Sequence, residues 1–302
     1  YTFGIKHTTA DNMTTMLQGS QVGPTPTFFF DYSVKDLRRD ITCCPFQWTK
    51  GVQTLQSFKS WSFGKLRYEW TNRMIPTGND DGINRQYMRY ADIVLMRAEL
   101  ENELNGASAA VPYLTKIRNR AFATSDRATE VTAYVAEAAL SKEKMFQAIV
   151  DERAYEFAGE LIRKADLIRW GMLKSKMDET KNKMKAIVSL TDYDSKHPYS
   201  QLSGHAYYKM SAYTWTRNGI ETTEKDAKLN LYGLNYGEMD INPEGYTEFS
   251  DSKGEASTWI KDNALEDVID YLYVRDPDKY QYWPIFNVNL NDNPNLSNYE
   301  WY

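Results

Sequence analysis

The chain has 302 residues, 42% apolar and 25% charged, with 41 acidic against 36 basic side chains and a formal net charge of −5. That balance excludes an intrinsically disordered chain, and charges spread without a basic stripe exclude nucleic acid as the expected partner. Cys43 and Cys44 are adjacent, a poor geometry for a disulfide, and His7, His197 and His205 lack metal-ligand spacing, so no bridge, metal or cofactor is expected.

In chain order, Tyr1-Thr2-Phe3 is neither an initiator, a charged leader nor a lipid-attachment cysteine, so the chain is expected to be part of a longer protein. No window approaches the roughly 18 apolar residues of a membrane helix. Residues 1–82 read as a loop- and strand-rich segment. They carry Gly23-Pro24-Thr25-Pro26, the β-favouring runs Phe28-Phe29-Phe30 and Trp61-Ser62-Phe63, and a turn at Thr77-Gly78-Asn79-Asp80-Asp81-Gly82.

Residues 83–177 read as helical hairpins. Tyr87, Ala91, Val94, Leu95 and Ala98 recur at three and four, predicting one helix to Leu104 with a stop at Asn105-Gly106. Ala110, Leu114, Ile117 and Ala121 predict its antiparallel partner, with Pro112 inside that helix's first turn. Ser141 is an N-cap candidate with Glu143 in the first turn, ahead of a face made by Phe146, Ile149, Val150, Arg153 and Phe157. A further helix is expected from Leu161 to Met177. Residues 178–302 lose this pattern and read as an irregular Tyr-rich segment with one short helix near Ala264–Tyr273.

The most specific stretch runs from Glu152 to Gly171. Its charges at Glu152, Glu156, Glu160, Arg163, Asp166 and Arg169 keep helical spacing among Phe157, Leu167 and Trp170, which predicts a partly buried ion-pair network. This stretch resembles the C-terminal signature of the SusD/RagB family, approximately ER-x-x-E-F/L-x-x-E-G-x-R-x-x-D-L-x-R-W-G. The helix Arg89–Glu99, the segment Leu114–Ala121, the turn Asp36-Leu37-Arg38-Arg39 and the ending Pro284-Ile285 to Asn293-Pro294-Asn295-Leu296 are similar to further family motifs, in the family's order. Leu161 departs from the pattern, standing where the family usually has Gly; Phe286 and Ser297 replace a common Pro and Gln.

The resemblance implies a mainly α, SusD-like fold, with tetratricopeptide-type helical hairpins packed against an irregular region containing a few short strands. Residues 1–302 would be the C-terminal part of such a protein. It further implies a non-catalytic, lipid-anchored protein on the bacterial outer surface, its anchor lying in the absent N-terminal part. Such a protein captures oligosaccharides or peptides and works as a lid on a SusC-like TonB-dependent barrel. A structural or adhesive surface role is the alternative. Catalysis is not expected: carboxylates on successive turns of one helix do not face each other across a cleft as a glycosidase pair does.

With 22 Tyr, 12 Phe and 8 Trp, the chain has aromatics to spare for a sugar-stacking platform beyond those its core absorbs. In the family the ligand face draws on loops ahead of the Arg89 helix. That implies Trp48, Trp61, Tyr68 and Trp70 as stacking rings, with Arg67 and Asn72 as polar neighbours. Trp48, between Gln47 and Thr49, is the first choice. Tyr207, Tyr208, Tyr213 and Trp215 form a second aromatic cluster.

Overall fold

A computed structural model describes residues 4–11, 13–15, 19, 21–56, 60–71, 73–75, 86–202, 207–217, 220–232, 245, 247–248, 265–282, 284–293 and 295–298. The turn expected at residues 77–82 lies outside them. Among the described residues, no helix is long and apolar enough to cross a membrane.

The N-terminal segment is less strand-like than its β-branched and aromatic runs suggest. Phe28-Phe29-Phe30 forms helix α1 (Pro26–Asp31), because Pro26 sits at its first position, where its fixed φ favours helix and its missing N–H costs nothing. After α2 (Arg39–Thr42) come the short strands β1 (Cys43–Cys44), β2 (Phe46–Thr49), β3 (Val52–Leu55) and β4 (Ser62–Phe63). They pair antiparallel as β1 with β4 and β2 with β3.

The central helices follow. In α3 (Tyr90–Asn105), Ala91, Val94, Leu95 and Ala98 are buried as their spacing requires. Tyr87 falls outside the helix and is 98% exposed, so it is not part of the stripe. Gly106, at φ +88, turns the chain directly into α4 (Ala107–Ala121), whose Ala110, Leu114, Ile117 and Ala121 complete the hairpin core. Pro112 lies beyond the first turn of α4, inside the helix, on its exposed side. Its missing N–H removes one bond of the ladder there.

A π-helical turn (Ala128–Ala133) and α5 (Tyr134–Ala138), unanticipated from the sequence, add Val131, Val135 and Ala138 to the same core. Ser141 caps α6 (Lys142–Phe157): its Oγ accepts the Lys144 N–H at 3.1 Å. Ile149, Val150, Arg153 and Phe157 are buried as predicted, and Phe146 is half-buried with its ring edge-on to Trp170 at 5.7 Å.

The single helix expected over 161–177 is two helices, α7 (Arg163–Arg169) and α8 (Leu173–Ser189). The break is a Schellman stop. Gly171 adopts φ +65, its N–H binds Ile168 O at 3.0 Å, and the Met172 N–H binds Leu167 O at 2.8 Å. Helix α8 runs well past Met177, and its Met184 and Ile187 pack with Phe29, Phe30, Trp61 and Tyr199 in a second core cluster.

Farther on, β5 (Tyr207–Arg217) and β6 (Ile220–Tyr232) form a long antiparallel ladder with a bulge between Ser211 and Tyr213, edged by β7 (Thr247–Glu248). Here the sequence suggested irregular chain. The expected short helix is α9 (Leu265–Asp270), and α10 (Asn287–Asp292) follows it. The terminal motif closes on itself: Asn298 accepts the Ile285 N–H at 2.6 Å and donates to Ile285 O at 3.0 Å.

Candidate functional site: an exposed tryptophan beside a buried charge network

Of the six residues singled out as a ligand face, the structure offers one exposed ring. Trp48 lies on β2, where alternation turns Phe46 and Trp48 inward and Gln47 and Thr49 outward. It is fully buried, its indole N–H reaches Glu69 Oε2 at 3.2 Å, and His7 stacks 6.4 Å away. The first-choice residue is therefore corrected to a core side chain. Trp61 and Tyr68 are corrected likewise: Trp61 packs edge-on against Phe29 at 5.4 Å, and Tyr68 tilts against His7 at 5.5 Å. Asn72 lies outside the described residues. The side chains of Tyr207, Tyr208, Tyr213 and Trp215 on β5 do as well.

Trp70 ends the short 3-10 turn Tyr68–Trp70 with 55% of its surface exposed. The Arg67 guanidinium lies 4.9 Å from its ring centre. That guanidinium cannot swing away, because it donates to Gly64 O at 2.7 Å, Ile41 O at 3.0 Å and Asp40 O at 3.1 Å. A cation pinned by three carbonyls steadies the indole. The result is a rigid flat apolar surface with a polar neighbour, the chemistry a sugar ring's C–H face selects.

The signature carboxylates Glu152 and Glu156 of α6, with Glu160 just past its end, tie four chain segments together. Arg38 forks onto Asp36 at 2.6 and 2.9 Å and also reaches Glu152 at 2.8 Å and Glu156 at 2.9 Å. The other oxygen of Glu152, a residue with no exposed surface, accepts from Arg118 at 2.8 Å. Glu156 also takes Arg89 at 2.6 Å and Arg120. Glu160 closes the chain of contacts with Arg89 at 2.7 Å and Lys65 at 2.5 Å.

A second set locks α6 to α3 and α7. Arg153 binds Asp92 at 2.7 Å and Asp166 at 2.7 and 3.1 Å. Arg169 and the Trp170 indole N–H converge on Glu99 at 2.5 to 2.9 Å.

The protonation chemistry follows from these contacts. Burial pushes the Glu156 carboxyl up, but the Arg89, Arg38 and Arg120 guanidiniums outweigh it and hold the group below the ordinary range. Burial likewise opposes the Arg38 charge, and Glu152, Asp36 and Glu156 reverse it, so the guanidinium is held more firmly charged than usual. Lys65 is the exception, since its burial wins over Glu160 and pulls it down. These carboxylates, from α6, the residues just after it and the Asp36 turn, are paired with cations and serve as structural ties. Arg163, read as part of the same row, instead donates to Val150 O at 2.9 Å. Among the described residues no three His, Cys, Asp or Glu side chains gather as metal ligands.

One aromatic the sequence reading passed over stands beside this network. Tyr90, 67% exposed at the start of α3, carries the Lys116 ammonium 4.8 Å from its ring centre. Its signal was its place one turn before Val94, at the edge of the buried stripe of α3.

Comparison with known proteins agrees with this architecture. A SusD-like protein from Formosa agariphila is 48% identical over 90 residues, 30% of this chain and 16% of its own length. A SusD homologue from Bacteroides thetaiotaomicron shares the fold with a TM-score of 0.51 at 23% identity, over 60% of this chain and 38% of its own. The chain thus spans well under half the length of the relatives it matches. The SusD family as a whole matches residues 54–302, and this protein belongs to it.

Proposed function

We propose that this chain is the C-terminal part of a lipid-anchored protein on the bacterial outer surface, capturing oligosaccharides and delivering them to a SusC-like TonB-dependent barrel. Membership of the SusD family supports the role, and the observation that carries the saccharide reading is Trp70, an exposed indole on a pinned guanidinium. A pyranose covering about 80 Å² of apolar surface gains about 2 kcal/mol at roughly 25 cal/mol/Å². Two or three such contacts would supply about 4–6 kcal/mol before the cost of association, so stacking alone gives dissociation constants of about millimolar or weaker, and hydrogen bonds set how much tighter the capture is. Affinity in that range suits a protein that must hand its cargo on.

Two measurements test the proposal. Co-purification from outer-membrane extract is expected to recover a large β-barrel transporter at near-equal stoichiometry; recovery of the protein alone favours an adhesive or structural role. Titration with a panel of oligosaccharides is expected to show binding that Trp70→Ala weakens about tenfold or more. Peptide binding without saccharide binding overturns the ligand class.

A further inference from the structure

Between α3 and α4 lies a groove of about 340 Å³, toward the small end of the size range of ligand sites. Its floor is apolar, made by Ala91, Val94 and Ile117. Its rim is cationic: Arg89, Lys116 and Arg120 all line it, and among the described residues no carboxylate does. Tyr90 stands at the edge with its ring largely in solvent.

The charge at this rim is not neutralised from behind. The α6 network joins five cations, Arg38, Arg89, Arg118, Arg120 and Lys65, to four carboxylates, Asp36, Glu152, Glu156 and Glu160. Lys116 adds a sixth positive charge, and among the described residues it has no carboxylate partner, only the Tyr90 hydroxyl at 3.3 Å. Arg120 commits one terminal nitrogen to Glu156 and leaves the rest of its 58% exposed side chain facing outward. Lys116 and Arg120 are one turn apart on the same face of α4, and both line the groove. Positive charge over low-dielectric walls concentrates anions.

We infer that the α3–α4 groove binds an anionic sugar, with the carboxylate of a uronate or a sulfate ester on Lys116 and Arg120 and the ring against Tyr90. This deepens the saccharide reading of the preceding section and rests on it. A guanidinium presents the fork that planar or tetrahedral oxyanions accept, the ammonium supplies a point charge, and the apolar floor takes the sugar's C–H face. A neutral sugar would gain hydrogen bonds from this rim but no charge pairing.

The test is calorimetric titration of the purified chain with polygalacturonate oligomers, sulfated galactan oligomers, neutral xyloglucan oligomers and poly-L-glutamate. At least one anionic glycan is expected to bind about tenfold tighter than the neutral one, with affinity falling as salt rises. The uronate and sulfate arms identify which oxyanion the groove takes. Lys116→Glu, at an exposed position, is expected to keep the thermal midpoint and lose at least about tenfold in affinity for that glycan. Lys144→Glu, on the far end of α6, is expected to leave it unchanged. Anionic binding that survives Lys116→Glu, or poly-L-glutamate bound as tightly as the glycan, overturns the inference. Neutral binding sensitive to Trp70→Ala, without any preference for anions, also overturns it while leaving the general saccharide role standing. Failure of every glycan to bind removes both.

Discussion

Leu161 adopts φ +68 with its side chain 71% exposed, in a conformation that L-residues other than Asn and Asp rarely hold. The left-handed region costs a residue with a Cβ about 1–2 kcal/mol, and an exposed leucine recovers little of it by packing. The family pattern that places Gly here therefore has a backbone reason. Leu161→Gly is expected to relieve that strain, offset by roughly 0.5–1 kcal/mol for glycine's freedom in the unfolded chain. The net gain is about 0.5–1 kcal/mol, seen as a rise of about 2 °C in thermal midpoint. A fall in the midpoint would show that Leu161 makes contacts worth more than the strain.

The two tryptophans Trp48 and Trp70 differ more sharply. Trp48→Ala empties a fully buried site and is expected to lower unfolding free energy by about 3–5 kcal/mol. Trp70→Ala removes an exposed ring and one cation–π contact, about 1 kcal/mol or less. Chemical denaturation of both variants checks the contrast, and comparable losses would contradict the burial of one and exposure of the other.

At the scale of elements, Glu152 is the test of the α6 network. Glu152→Gln keeps the shape but removes the charge facing Arg38 and Arg118. Breaking one side of a buried ion pair costs about 3–5 kcal/mol. The lower end is expected, because Arg38 keeps Asp36 and Glu156, and Arg118 keeps the Glu130 carbonyl. Pairing it with Arg118→Met should recover about 1–3 kcal/mol of the summed losses in a double-mutant cycle. Strict additivity would mean that the two residues do not share a bond that matters to stability.

These elements also show what the sequence could and could not convey. The stripes of α3 and α4 were legible because each buries one face at helical spacing, and so was the Ser141 cap. Trp48 was misplaced because four residues are too few to reveal a strand's alternation against a loop background. Phe28–Phe30 went to a helix because Pro26 outweighed aromatic strand preference. The Gly171 stop was hidden in a signature read for its charges. The β5–β6 ladder was missed because apolar residues occur at both parities of each strand, as at Tyr207 and Tyr208 or Leu231 and Tyr232, leaving no clear period of two. The Asn218-Gly219 dipeptide between Arg217 and Ile220 was the available signal for that hairpin. In the site itself, ring identity was readable and ring exposure was not, since exposure depends on partners distant in the chain.

For the whole molecule, the network predicts how stability depends on acid. Glu156, Glu99 and Glu179 are held below their ordinary values: burial pushes each up, and paired cations outweigh it. A carboxylate depressed in the folded state contributes stability that is present above its unfolded pKa and lost as pH falls through the folded one. Asp151 has the opposite sign. Its burial outweighs Lys176 and raises its pKa, so its contribution is greatest in acid and is lost as pH rises through that raised value. With Asp11 and Asp194 also depressed, the lowered carboxylates outnumber the one raised carboxyl among the described residues, so the thermal midpoint is expected to hold from pH 7 to about 5 and to fall below about pH 4, where the unfolded carboxylates begin to take protons first. Glu156→Gln isolates the network's share. Glutamine cannot titrate, so the gap between wild-type and variant midpoints should be widest at pH 7 and narrow as the wild-type Glu156 is protonated. Melting curves of both proteins at pH 7, 5 and 3 measure that gap. A gap unchanged at pH 3 would mean that Glu156 acts through its shape and neutral hydrogen bonds, and that the charge of the α6 network does not hold these helices together.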